Sequence, residues 1–148
     1  MNNDIKFFMQ RVDIPSQPEI NLEKEFPGLR YVRSKGIDDI GAAKVYEEVF
    51  PESGRTNVYI PDEPVNAQTK IEMTFVFLGD DRRKTRDRFE DYLRRGIHRY
   101  WDTARNKEFS FYVKDKIETS EEKWRGSTPY IEVTYKLNNI EGKTKEHV

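Results

Sequence analysis

At 148 residues the chain is long enough for one domain with a sizeable core, and 13% aromatic residues exclude a disordered polymer, although charged residues (36%) match hydrophobic ones (35%). A formal net charge of -1 provides no bulk attraction to nucleic acid or to a membrane surface. With no cysteine, disulfides and thiolate metal sites are excluded.

No apolar run approaches the ~20 residues of a membrane-spanning helix, and Met1–Gln10 lacks the basic flank and long apolar stretch of a secretion signal. The expectation is a soluble protein made without a secretion signal, in a compartment compatible with reduced thiols. Residues 1–28 carry weak pattern. Ile5, Phe7, Phe8 and Met9 suit a short strand or an arm, and Pro15, Pro18 and Pro27 punctuate an acidic, extended stretch. This segment reads as an N-terminal arm that either hugs its own surface or reaches a neighbouring subunit.

A single β-rich domain is expected over residues 29–142. Its first strands are LRYVRS and KVYEEVF, around a glycine-bearing turn, followed by NVYI. Lys70–Leu78 is the clearest strand. Ile71, Met73, Phe75 and Phe77 share one face, while Val76 and Leu78 make the end of the other apolar, which predicts a central, covered strand. A helix over about 82–95 follows, with Asp80 or Asp81 at its start and Gly96 as its left-handed stop. Thr85, Phe89 and Leu93 recur every fourth residue and form its inward stripe, widened by Tyr92.

IHRYWDTARN reads as a packed aromatic corner, with Asp102 bonding the following backbone or Arg105. A strand over Glu108–Val113 follows. Lys114–Pro129 is a long connection in which Thr119 and Glu122 have capping-box spacing, so a helical turn is expected around Ser120–Trp124. Ile131, Val133, Tyr135 and Leu137 alternate with polar residues in a final strand, Tyr130–Leu137. The polar end, residues 143–148 above all, is expected to be a flexible tail.

Catalytic patterns are sought and mostly not found. The two histidines, His98 and His147, are far apart, no G-x-S-x-G is present, and no glycine-rich phosphate loop occurs. His98 reads as an ordinary surface or corner residue. Asp62 with Glu141 and Lys143 matches a metal-dependent nuclease in letters, but the second element falls in a polar tail where a buried strand would be needed. No cofactor or metal is expected, nor an enzyme.

Between Arg82 and Arg99 stand eight basic residues against three acidic ones, which raises a nucleic-acid module as the alternative. Asp87 and Asp91 interleave with these cations and can use part of the charge in intrahelical pairs. Tyr100, Trp101 and Arg105 could form a base-stacking platform, but a packed corner is the preferred reading. Trp124 in a loop must cover something, either core or another subunit.

The strings KVYEEVF, VYIPDEP, TKIEMTFVFLG, RDRFEDYLRRGIHRYWDTARNKEFSFYV and EEKWRGSTPYIEVTYKLNNIEG, in this order, resemble small tail proteins of phages and prophages of the Bacteroides group. More distantly they resemble the N-terminal domain of distal tail proteins and the tail-tube fold. The resemblance covers Leu29–Gly142. It implies an antiparallel β-sandwich or barrel flanked by one helix, and a structural subunit of the virion tail made in the bacterial cytoplasm. It also implies a ring homo-oligomer, often a hexamer, stacked with other tail proteins around a DNA channel, where DNA contact would be non-specific. Against this family 148 residues are short, so a tube, hub or connector subunit without a second, carbohydrate-module-like domain is expected. Arg82, Arg83, Arg86, Trp124 and Arg125 are the candidate subunit-contact residues.

Overall fold

The computed structural model of the chain describes residues 5–43, 46–50, 55–59, 65–118 and 122–148. Strands β1 (Phe7–Arg11) and β2 (Glu19–Asn21) precede the single turn α1 (Leu22–Glu25) and β3 (Leu29–Lys35). Next come β4 (Tyr46–Phe50), β5 (Arg55–Tyr59), β6 (Thr69–Phe77) and the helix α2 (Arg82–Leu93). The chain continues through β7 (His98–Asp102), β8 (Lys107–Tyr112), β9 (Glu122–Arg125), β10 (Thr128–Asn139) and β11 (Lys145–Glu146). The expected class holds: an antiparallel, mainly β fold flanked by one substantial helix.

Nine strands form one sheet in the order β2-β1-β7-β8-β10-β6-β3, with β9 added to β10 and β11 to β8. The hairpin β4-β5 is a separate two-stranded sheet. Although β1 and β3 lie near opposite ends of the strand order, Phe7 on β1 stacks on Tyr31 on β3 with ring centroids 4.7 Å apart. The sheet therefore curls until its two ends meet around the core, as a sandwich or partly closed barrel must. The 12-residue β10 makes the curl possible. Its first residues pair with β9, its last two with β8, and its other edge with β6 along most of its length.

The core follows from alternation. Ile71, Met73, Phe75 and Phe77 lie opposite Leu137, Tyr135, Val133 and Ile131 in register, and all eight are buried. α2 lies over this face with Thr85, Phe89 and Leu93 buried, as its fourfold spacing predicts. The Phe89 ring meets Phe26, Phe75 and Tyr135 edge-on at 5.1, 5.3 and 5.5 Å. Burying such a side chain stabilises the fold by about 2–3 kcal/mol.

Several expectations change. Within the segment expected to be an arm over residues 1–28, Phe7–Arg11 and Glu19–Asn21 are strands of the sheet: β1 pairs with both β2 and β7, and Met9, Leu22 and Phe26 are core residues. The short strand that Phe7, Phe8 and Met9 suit is present as β1, and its long-range partner β7, which no local pattern announces, supplies its hydrogen bonds. The aromatic corner is itself strand β7. Tyr100 and Asp102 point inward and are buried, and the turn comes later, at residues 103–106, with Asn106 left-handed at φ 54°.

The helical turn expected around Ser120–Trp124 is replaced by β9, because Gly126 (φ 62°) folds Glu122–Arg125 back onto β10 as a hairpin; residues 119–121 lie outside the described set. The tail expected over 143–148 contains β11, held by pairing with β8. Leu78 lies past the end of β6 and is 39% exposed, so this strand buries one face fully and the other only in part. α2 stops at Leu93, short of the expected residue 95, and Asp81 stands at its N-cap without a capping side-chain bond.

Candidate functional site

Of the five residues singled out from sequence, three already bond acidic side chains inside the chain. Arg82 donates to Glu122 Oε1 through Nε at 2.9 Å and Nη2 at 2.7 Å, and Arg83 Nη2 lies 3.1 Å from the same oxygen. The hydrogen bond from Arg82, with the coulombic pull of both guanidinium groups, holds the Glu122 carboxyl below the usual carboxylate range. Arg86 lies on another side of α2, mostly buried, and donates to Asp87 at 3.3 Å. Trp124 and Arg125, by contrast, project from β9 into solvent, and Trp124 is 63% exposed. Core closure is thereby excluded for Trp124.

Among the described residues, most of the other cations of the basic segment, though not Lys84 or Arg94, are matched in the same way. Arg88 reaches Glu25 at 3.8 Å and covers the Phe26 ring at 5.4 Å, and Arg95 pairs with Asp91 one turn back at 3.2 Å. Arg99 donates to Gln10 at 2.7 Å and lies 3.8 Å from Glu108. Exposed pairs of this kind stabilise little, but they flatten the positive field that the bare sequence suggested. Glu25, Glu108 and Glu122 are distant in sequence, so only Asp87 and Asp91 were visible as partners before the fold was known.

The stacking platform also fails to form. Tyr100 is buried, and Trp101 is sandwiched between Phe8 at 4.6 Å and His147 at 3.7 Å, with its indole N–H donating to Glu19. The expected bonds of Asp102 are present: its buried carboxylate accepts from the Arg105 backbone N–H at 2.8 Å and from Arg105 Nη1 at 2.9 Å, and also from the Tyr100 hydroxyl at 2.9 Å. Burial and the nearby Asp102 charge raise the Tyr100 pKa, so the phenol stays protonated as donor.

Of the two readings of His98, surface or corner, the surface one fails. The side chain is fully buried on β7, tilted against Tyr92 at 4.5 Å and stacked on Phe111 at 5.6 Å, and neither ring nitrogen makes a hydrogen bond. Burial pushes its pKa down, against partial opposition from the neighbouring backbone of Arg95 and Tyr92. In the nuclease reading, Glu141 falls on an exposed turn after β10 and Asp62 lies outside the described residues. Among the described residues no group of three His, Asp or Glu side chains is placed to hold a metal ion. No described helix is long and apolar enough to cross a membrane.

Two open cavities border α2. One, about 630 Å³ and polar, lies between Glu90 and Arg94 on the helix and Val113–Ile117. Another, about 540 Å³, lies between Pro27–Gly28 and the start of the helix. Neither gathers a nucleophile with a base.

What remains is a β scaffold with a tryptophan projecting from β9. The same fold occurs in a known assembly. A chain in the structure of the phage p2 baseplate in its activated conformation with Sr superposes with a TM-score of 0.58 at 9% sequence identity, over 93% of this chain and 45% of that one. The likeness is one of fold, and this chain spans less than half of that protein's length. No protein-family model and no curated protein matches the sequence.

Proposed function

We propose that the chain is a structural subunit of a phage or prophage tail, of the distal-tail, tube or connector kind, which acts by assembling with copies of itself into a ring and with other tail proteins in a stack. The observation that carries this is the fold likeness to a phage baseplate chain over nearly the whole of the present chain. Two features support it. The hairpin β4-β5 pairs with no strand of the main sheet among the described residues, and an isolated two-stranded hairpin is marginal in water without a partner surface. The conspicuous exposed aromatic, Trp124, is of the type enriched at the centres of interfaces.

The test is multi-angle light scattering with negative-stain microscopy on the purified full chain across a wide concentration range. A closed multiple of the 17.7 kDa protomer is expected, with ring-shaped particles. A strictly monomeric species at the highest concentration would count against the proposal. The nucleic-acid alternative gains no specific support, since Arg82, Arg83, Arg88, Arg95 and Arg99 face acidic partners within the chain.

A further inference from the structure

Ring closure needs two different, complementary patches on each copy, because a head-to-tail contact uses one surface of one protomer and another surface of the next. In the nine-stranded sheet, and among the described residues, β2, β3 and β9 each pair along one edge only; β11 is just two residues long. These edges differ in charge. β3 carries Arg30, Arg33 and Lys35. β9 presents Arg125, while Lys123 pairs with Glu132 of its own chain at 3.3 Å and the lone acid Glu122 is engaged by two arginines. β2 begins with the exposed Glu19 and runs into α1 with Glu23 and Glu25 against Lys24.

Pairing any of these edges with its own copy sets like charges side by side, and so does β3 with β9. Only contacts that include β2 join opposite signs. Between its two basic candidates, β3 is interrupted by a bulge between Tyr31 and Arg33, a device that blunts an edge. β9 is regular along its four paired positions and carries the exposed Trp124. The β1–β2 unit offers apolar surface to receive that ring. Ile5 is 47% exposed, Val12 44% and Ile14 40%, so exposed aliphatic side chains flank the acidic edge at both ends of the β1–β2 unit.

We infer that the β9 edge of one copy docks on the β2 edge of the next, with Trp124 seated against Ile5 or against Val12 and Ile14, and with Arg125 facing Glu19 and Glu23. This contact rests on the ring-assembly reading and gives it a specific pair of surfaces. It is heterologous, and it leaves Arg82 and Arg83 in their own chain, where they brace β9 through Glu122.

The chain has no cysteine, so crosslinking can be programmed without background. Arg125→Cys and Glu19→Cys are made singly and together, oxidised, and resolved by mass, alongside light scattering of the wild type and Trp124→Ala. The docking predicts a ladder of crosslinked multimers from the double variant and a disulfide-linked dimer when the two single variants are mixed. Each single variant alone should remain uncrosslinked. Trp124→Ala should lose most of the multimer in favour of the 17.7 kDa protomer with an unchanged circular dichroism spectrum, since the side chain contributes little to its own core. If the wild type assembles but the double variant gives no ladder and Trp124→Ala assembles equally well, the β9–β2 contact is wrong while ring assembly stands. A dimer from Arg125→Cys alone would replace it with an isologous β9 contact. A wild type that stays monomeric at every concentration overturns both.

Discussion

The Glu122 carboxylate accepts two hydrogen bonds from the Arg82 guanidinium, at 2.9 and 2.7 Å, and thereby joins the start of α2 to a hairpin forty residues further along the chain. This contact turns the basic end of the helix into a brace for β9. Glu122→Lys is expected to loosen the hairpin by setting a third cation beside Arg82 and Arg83. Hydrogen exchange should show faster exchange for the amides of Lys123–Ile131 while the centre of β6 keeps its protection, because β6 draws its stability from the core. Uniform loss of protection through the whole sheet would mean that Glu122 supports the global fold instead.

Phe89 is the hub of the aromatic core, touching Phe26, Phe75, Phe77 and Tyr135 from the helix side. Phe89→Ala should destabilise the protein by about 4 kcal/mol, the sum of lost transfer energy and an incompletely collapsed cavity. Phe89→Leu, which keeps most of the volume, should lose less than half of that. Urea denaturation measures both. Near-equal midpoints for Phe89→Ala and the wild type would contradict the packing described.

His98 makes stability fall on mild acidification. Its pKa in the fold lies below the ordinary 6.5 because burial disfavours the imidazolium, against opposition from the backbone of Arg95 and Tyr92; of the nearby charges Arg11 lowers it and Asp13 raises it. Between that lowered value and 6.5 the unfolded chain binds a proton that the folded chain does not. The stabilisation is therefore complete above about pH 6.5 and is lost as pH falls through the window, with a slope of at most about 1.4 kcal/mol per unit. His98→Phe keeps a ring against Tyr92 and Phe111 and should remove this slope. Denaturation midpoints at about pH 7.5 and about pH 5.5 in both proteins decide it. An identical acid response in the variant would assign the effect to other groups.

Asp102 is 1% exposed and accepts from three donors, so Asp102→Asn replaces an acceptor with an amide that must turn a donor toward one of them. A loss of about 2–3 kcal/mol is expected, kept below the value for a fully buried ion pair because Arg105 still reaches water. Thermal unfolding measures it. Asp102→Ala, which also leaves a hole beneath the 103–106 turn, should be worse than Asp102→Asn; the reverse order would point to strain at the carboxylate.

The C-terminal strand is secured by a ring stack as much as by its backbone, since His147 lies over Trp101 with planes 12° apart and bonds Glu108 through Nδ1 at 3.2 Å. In a Trp124→Phe background, where Trp101 is the remaining indole, His147→Ala should shift tryptophan emission to the red as one face of the ring opens to water. An unshifted spectrum would mean that the stack does not persist in solution.

Much of this fold could be read from residue order. Period-two alternation marked β6 and β10, and fourfold spacing marked the buried face of α2, because a residue's neighbours along an element are set by the chain itself. The same local rule misled where identity depended on a distant partner. HRYWD has the composition of a packed corner and becomes a strand because β1 and β8 lie on either side of it. Phe7–Arg11 was too short to stand alone, and pairing supplied what its pattern lacked.

The candidate surface divides along the same line. Trp124 was marked by chemistry alone, since a tryptophan outside a core must be covered by something. Its exposure, and the engagement of Arg82 and Arg83, came only from the fold. By itself the sequence determined a cysteine-free, aromatic-rich β domain with one amphipathic helix, since composition and periodicity depend on nothing outside each segment. Only the tertiary structure decided which charges are spent within the chain and which edges are left over, because opposite charges and strand edges cancel through space, between residues that the sequence holds far apart.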